Sequence, residues 1–230
     1  MTRLIPFLLM IIGVFAMIKI SAWQSGRQLV RSSRPLLNDQ VDALLQRLAR
    51  TAGIERVEVR LLDMPVVNGL ATPSGEIYIT HGLFRQFQTG RISAAELASV
   101  VAHEMGHLAL GHTRRRIADV TGAQLLHIIL GSILNRFIPI LGWIVARWVA
   151  TFMATRLSRN DEFEADAYAT ALMIRSGLGA EPQARMLEKL LELVPEASAQ
   201  ETNWLASHPP VAERTLAIRV NAERWEEAAH

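Results

Sequence analysis

Two histidines four residues apart, His103 and His107, stand inside a run from Glu96 to His112 that reads as helix. At that spacing both imidazoles lie on one helix face, one above the other, and can reach a single metal ion. Glu104 sits about a hundred degrees round the helix from His103, close enough to address a water on that metal. A catalytic zinc commonly takes three protein ligands and keeps a fourth position for water. The chain has no cysteine, so histidine and carboxylate must supply the ligands.

The acidic cluster Asp161, Glu162, Glu164 and Asp166 is the source of a carboxylate ligand on a second helix. Glu162 and Asp166 are four apart and share a face, while Glu164 points elsewhere. Glu162 can then reach the metal, and Asp166 can accept a hydrogen bond from an imidazole N–H. Taken alone, acids near a helix start also serve simply to complement the helix dipole. An H-E-x-x-H run alone recurs by chance; the two patterns together are far more selective.

Elements must hold these residues in place. Ser93 with Glu96 three residues later makes a capping box that starts the histidine helix where apolar residues set in, and Gly111 can end it. Asn38 or Asp39 opens an earlier amphipathic helix through Val41, Leu44, Leu45 and Leu48, closed by Gly53. Val57, Val59 and Leu61 alternate with polar residues as a half-buried strand, and Ile77 to Thr80 forms a second, after turn-rich Asn68-Gly69 and Pro73-Ser74-Gly75. A short helix is expected from Gly82. Another starts at Ser158 or Asn160 and runs to Gly177, one spans Glu181 to Val194, and a last one spans Pro210 to Ala222. The expected class is mainly α with a small sheet, α+β.

The 230 residues suit one domain plus an appendage, and a net charge of +2 is too small to argue for nucleic acid. Leu4 to Trp23 is almost uninterruptedly apolar and about 30 Å long as a helix, the thickness of a bilayer core. An uncleaved membrane anchor fits it better than a cleaved signal peptide, because Ile20-Ser-Ala22 followed by Trp23 is a poor cleavage site. The expected division is 1–35 as anchor and basic linker, and 36–230 as the catalytic domain. Residues 117–157 form an apolar helical hairpin within it, either buried in the domain or dipping into the membrane, with Arg147 costly at mid-bilayer.

The motifs resemble those of the HtpX-like zinc metalloendopeptidases, a family that includes the CAAX prenyl proteases. They are Asn68-Gly-Leu-Ala71, Gly75-Glu-Ile-Tyr-Ile-Thr80, Val100-Val-Ala-His-Glu-Met-Gly-His107, Ser158-Arg159, Glu162-Phe-Glu-Ala-Asp166 and Ser207-His-Pro-Pro210. The resemblance implies a gluzincin fold and one zinc per chain held by His103, His107 and Glu162, with Asp166 supporting them. In the family's His-Pro position, His208 is expected to stabilise an oxyanion, to make an extra zinc contact, or only to be locked at a helix start. Arg214 either pairs with Asp166 or is solvated at the surface. Strand Ile77, Tyr78 and Ile79 resembles the zincin edge strand that aligns a peptide by main-chain pairing. The other histidines, His81, His112 and His127, read as structural or solvent-facing.

Glu104 is then the expected general base in peptide-bond hydrolysis. The implied role is quality control of misfolded or damaged membrane or envelope proteins, on unfolded or extended polypeptides, at the membrane lipid. The alternative is a non-catalytic, chaperone-like or scaffold membrane protein on the same fold. Prenyl-CAAX processing would need an intramembrane chamber of many spans, too large for this chain. The expected location is the bacterial inner membrane. Arg27, Arg31 and Arg34 against Arg3 favour a cytoplasmic-facing catalytic domain over a periplasmic one.

Overall fold

In the computed structural model, residues 27, 29–113, 115, 127, 141–193 and 211–227 are described. The N-terminal apolar run, most of the hairpin and His208 lie outside them. The described residues form six helices and a four-stranded sheet, which bears out the α+β expectation.

The first helix, α1 (Asp39–Ala52), begins where Asn38 accepts a hydrogen bond from the Val41 N–H and ends at Gly53 in the left-handed region, φ 72°. Strands β1 (Ser33–Pro35), β2 (Val59–Leu62), β3 (Gly69–Ala71) and β4 (Ile77–Thr80) line up in the order β1-β2-β4-β3. Only β2 and β4 run parallel; the other two pairings are antiparallel. Two of these strands fall where a linker and a turn are expected from the sequence. Both are three residues long, too short to show alternation, and each pairs with one neighbouring strand.

That order corrects the expected role of Ile77, Tyr78 and Ile79. They lie in an interior strand, paired on both sides and buried along its whole length. The edge on that side of the sheet is β3.

Helix α2 (His81–Gln88) follows β4 directly, capped by Thr80. Helix α3 (Ala94–Ala109) is the centre of the molecule, packed by α1, β3, β4, α4 (Leu141–Arg175) and α5 (Glu181–Leu193). Its start is held twice. Ser93 and Glu96 form the capping box, and the Glu96 carboxylate also receives Lys189 Nζ of α5 at 2.8 Å. Its residues from Leu97 to His107 are all buried, so the helix can carry polar side chains only where partners meet them.

The expected helix start at Ser158 does not occur; α4 runs unbroken for 35 residues. Ser158 and Asn160 can cap a helix, but no proline lies between Pro139 and Pro182 to require a break. Contact between α3 and α4 is close because Gly106 has no side chain: a Cβ there would lie 2.8 Å from the Ala165 carbonyl oxygen and 3.0 Å from its Cα. The last helix, α6 (Val211–Glu227), packs on α4 and α5. One core cluster joins these elements from Leu36 to Ile218. Among the described residues, no helix is long and apolar enough to cross a membrane.

Candidate metal centre and active site

Helix α3 presents His103 and His107 one turn apart, and their Nε2 atoms converge to 3.1 Å with the rings perpendicular. The close passage at Gly106 brings Glu162 of α4 over both. Its Oε2 lies 3.4 Å from His103 Nε2 and its Oε1 lies 3.4 Å from His107 Nε2. All three side chains are buried.

This set fits a shared metal ion. Ligand atoms about 2.0–2.2 Å from one tetrahedral ion stand roughly 3.3 Å from each other, as these do. His103 Nδ1 lies 2.9 Å from Asp166 Oδ1. As an acceptor-only group, the carboxylate takes the imidazole N–H there and so turns Nε2 toward His107 and Glu162. Nitrogen and carboxylate oxygen are also the donors that a chain without cysteine can offer.

Asp166 is itself clamped. Arg214 of α6 sends Nε to its Oδ2 at 2.5 Å and Nη2 to its Oδ1 at 2.8 Å, and Nη1 lies 3.3 Å from Glu162 Oε2. From α5, Gln183 Nε2 donates to the Asp166 carbonyl at 3.2 Å, and Thr170 Oγ1 donates to Gln183 Oε1 at 2.9 Å. Arg214 is fully buried, so its pairing replaces the surface solvation open to it from sequence. Nothing in the sequence pointed to Gln183, which reaches the centre only by the packing of α5.

The charges set the protonation. Burial disfavours a charged His103 most, yet hydrogen bonds to Asp166 and Glu162 and the Asp166 charge outweigh it and raise its pKa to about 9. Burial likewise opposes ionised Asp166, but the bonds and charge of Arg214, helped by His103, bring its carboxyl down to about 2. The buried acids therefore favour positive charge at His103.

Glu104 is buried on the same helix, beside β3. A Cβ on Gly69 would stand 2.9 Å from Val100 Cγ1 and 3.6 Å from Glu104 Oε1, so the glycine lets the edge strand lie against the face that carries Glu104.

The remaining histidines divide. His81 is half exposed, with Nδ1 3.7 Å from Asp63. His112 is buried and returns to the site, its Nδ1 3.1 Å from His107 Nδ1. On a continuing helix, a residue five beyond His107 would turn away from it. The chain leaves the helix at Leu110 and passes through Gly111 at φ 72°, which folds His112 back. The glycine that ends the helix was the available clue.

The model of peptidase family M48 matches residues 35–222. The chain belongs to that family. Relatives include the mitochondrial metalloendopeptidase OMA1 of Arabidopsis thaliana, 30% identical over 78% of this chain and 35% of the relative. A protease HtpX homolog of Dictyoglomus thermophilum is 26% identical over 79% of this chain and 69% of its own length. The beta-barrel assembly-enhancing protease of Escherichia coli K12 is 29% identical over 86% and 42%. The chain thus spans about a third of the first of these relatives and less than half of the third. The M48 match runs from the last residue of β1 into α6 and includes His103, Glu104, His107, Glu162, Asp166 and Arg214.

Proposed function

We propose that the chain is a zinc-dependent endopeptidase that cleaves extended polypeptides. The convergence of His103 Nε2, His107 Nε2 and the Glu162 carboxylate at 3.1–3.4 Å, one residue from Glu104, carries this reading. When bound there, zinc activates water and polarises the scissile carbonyl. Glu104 holds the proton taken from the attacking water and returns it to the leaving nitrogen. Asp166 and Arg214 keep the His103 ring turned so that Nε2 faces the cluster.

Strand β3 is the surface for substrate. Thr80 N–H donates to the Asn68 carbonyl and Thr72 N–H to the Glu76 carbonyl. In an antiparallel ladder bonded pairs alternate, so the amide groups of Gly69 and Ala71 turn to the open edge. A peptide can add there as a further strand, recognised by backbone rather than by side-chain sequence. Substrates of that kind are unfolded or loosely folded.

Residues 1–35 are read as membrane anchor and linker and 36–230 as the catalytic unit, on the apolar run of residues 4–23. Names such as beta-barrel assembly-enhancing protease among relatives support a quality-control role on membrane or envelope proteins. The favoured site is the bacterial inner membrane, with the catalytic unit on the cytoplasmic side. His208 enters the site through the family resemblance alone.

The deciding experiment is Glu104→Gln with zinc content and casein hydrolysis measured together. One zinc per chain with hydrolysis reduced about 10²–10⁴-fold is expected. Unchanged hydrolysis would remove Glu104 as the base, and a zinc-loaded wild type without turnover would favour a binding or scaffold protein.

A further inference from the structure

His103 is held by Asp166, but His107 meets a different partner at the equivalent nitrogen. Its Nδ1 faces His112 Nδ1 at 3.1 Å, and the two rings stand at 70° with centroids 5.2 Å apart. On its far side, His112 Nε2 lies 3.1 Å from Glu164 Oε2 and 3.7 Å from Asp161 Oδ1. Arg115 Nη1 occupies Asp161 Oδ1 at 3.0 Å.

A hydrogen bond between two ring nitrogens needs one proton, so one ring donates and the other accepts. The acidic end decides which. A carboxylate accepts only, so Glu164 draws the His112 proton onto Nε2. His112 Nδ1 is then a bare acceptor, and His107 must carry its own proton on Nδ1. That leaves His107 Nε2 as a lone pair directed at His103 Nε2 and Glu162. In the opposite tautomer, His112 would donate to His107 Nδ1, and the neutral His107 would carry its proton on Nε2, where it blocks a metal. Both histidines are buried, so water does not readily take over either bond.

We propose that His112, locked by Glu164, is a positioning residue that fixes the tautomer and aim of the metal ligand His107. This rests on the metal-centre reading above. His112 comes from the turn after α3 and Glu164 from α4. The relay therefore ties the same two elements that supply the proposed ligands, acting at His107 while Asp166 and Arg214 act at His103. A competing use of the same atoms exists, because His112, Asp161 and Glu164 are near enough to hold an ion of their own. Arg115 on Asp161 and the half-exposed Glu164 side chain weigh against it.

The test uses the full chain stripped of metal and reloaded with zinc or cobalt(II). Zinc affinity is measured by chelator competition, with the cobalt absorption spectrum recorded for wild type, His112→Phe, His112→Asn and Glu164→Gln. His112→Phe keeps a ring but offers no acceptor, and a loss of about 10- to 100-fold in zinc affinity is expected with an altered cobalt spectrum. His112→Asn restores an acceptor oxygen near the Nδ1 position and should recover most of both. Glu164→Gln, at a half-exposed side chain where folding is not at stake, should weaken binding by a smaller factor. It should add nothing in the His112→Phe background. Wild-type affinity and spectrum in both His112→Phe and Glu164→Gln would overturn the proposal. So would two metals per chain in wild type falling to one in His112→Phe, which would make the cluster a second metal site. A wild type that binds no metal removes the metal-centre reading as well; normal binding with an indifferent His112 removes this one alone.

Discussion

The guanidinium of Arg214 meets the carboxylate of Asp166 at two points, Nε to Oδ2 at 2.5 Å and Nη2 to Oδ1 at 2.8 Å, with both side chains buried. Asp166 uses the same Oδ1 to receive His103 Nδ1, so a residue of the last helix acts on the proposed metal ligand His103 through one carboxylate. Arg214 also lies against Glu162, and its single positive charge is shared between two buried acids. Removing one partner of such a pair leaves the other charged and unsatisfied, which costs about 3–5 kcal/mol. Arg214→Met should lose stability of that order in urea unfolding and bind zinc more weakly. Combining it with Asp166→Asn should cost less than the sum of the two, since each alone strands the other. Strict additivity would mean that the pair is not coupled.

Gly106 sets the distance between the two helices that carry the proposed ligands. A methyl group there would press on the backbone of Ala165, which cannot rotate aside. Gly106→Ala should push α4 away and weaken zinc binding by at least tenfold, and Gly106→Val should do so further. Normal zinc affinity in the alanine variant would show that α4 has room to yield.

The pKa shifts give the metal-stripped protein a stability profile with two limbs. Asp166 falls from an ordinary 3.8 to about 2, so its contribution is present above pH 3.8 and is lost as pH falls through 2. His103 rises from 6.5 to about 9, so its contribution is present below pH 6.5 and is lost as pH rises through 9. Thermal melting should therefore show a plateau between about pH 4 and 6.5. Zinc replaces the His103 proton, so loading at pH 7.5 should release protons, seen in calorimetry as a buffer-dependent heat, and should remove the alkaline limb. Zinc uptake with no proton release would contradict the raised histidine.

Ala71→Pro deletes an outward-turned N–H of β3 while leaving the Leu70 pairing with β4 untouched. Casein hydrolysis should fall by roughly tenfold or more, the order of one lost main-chain bond at about 1.5 kcal/mol, with zinc content unchanged. Equal activity would place the substrate elsewhere. Substitution at Tyr78, in the buried interior strand, should instead lower stability.

Much of the site was legible before any tertiary structure was known, and the reason is that helices are local. A spacing of four puts His103 and His107 on one face whatever surrounds them, and the same holds for Glu162 and Asp166. The Ser93–Glu96 capping box marks the helix start within three residues of sequence. Composition without cysteine restricts the donors to nitrogen and oxygen, and two short strands followed by a run of helices give the α+β class.

What the tertiary structure alone decided is every relationship between elements. Whether Arg214 is solvated or clamps Asp166 depends on α6 docking against α4, 48 residues distant in sequence for that pair. The position of β4 inside the sheet and of β3 at its edge depends on which strands pair, because three or four residues carry no mark of their neighbours. His112 lies five residues from His107, yet its return depends on one left-handed glycine and on Glu164 waiting from another helix. Local periodicity determines which side chains share a face; close packing of buried elements determines which faces meet.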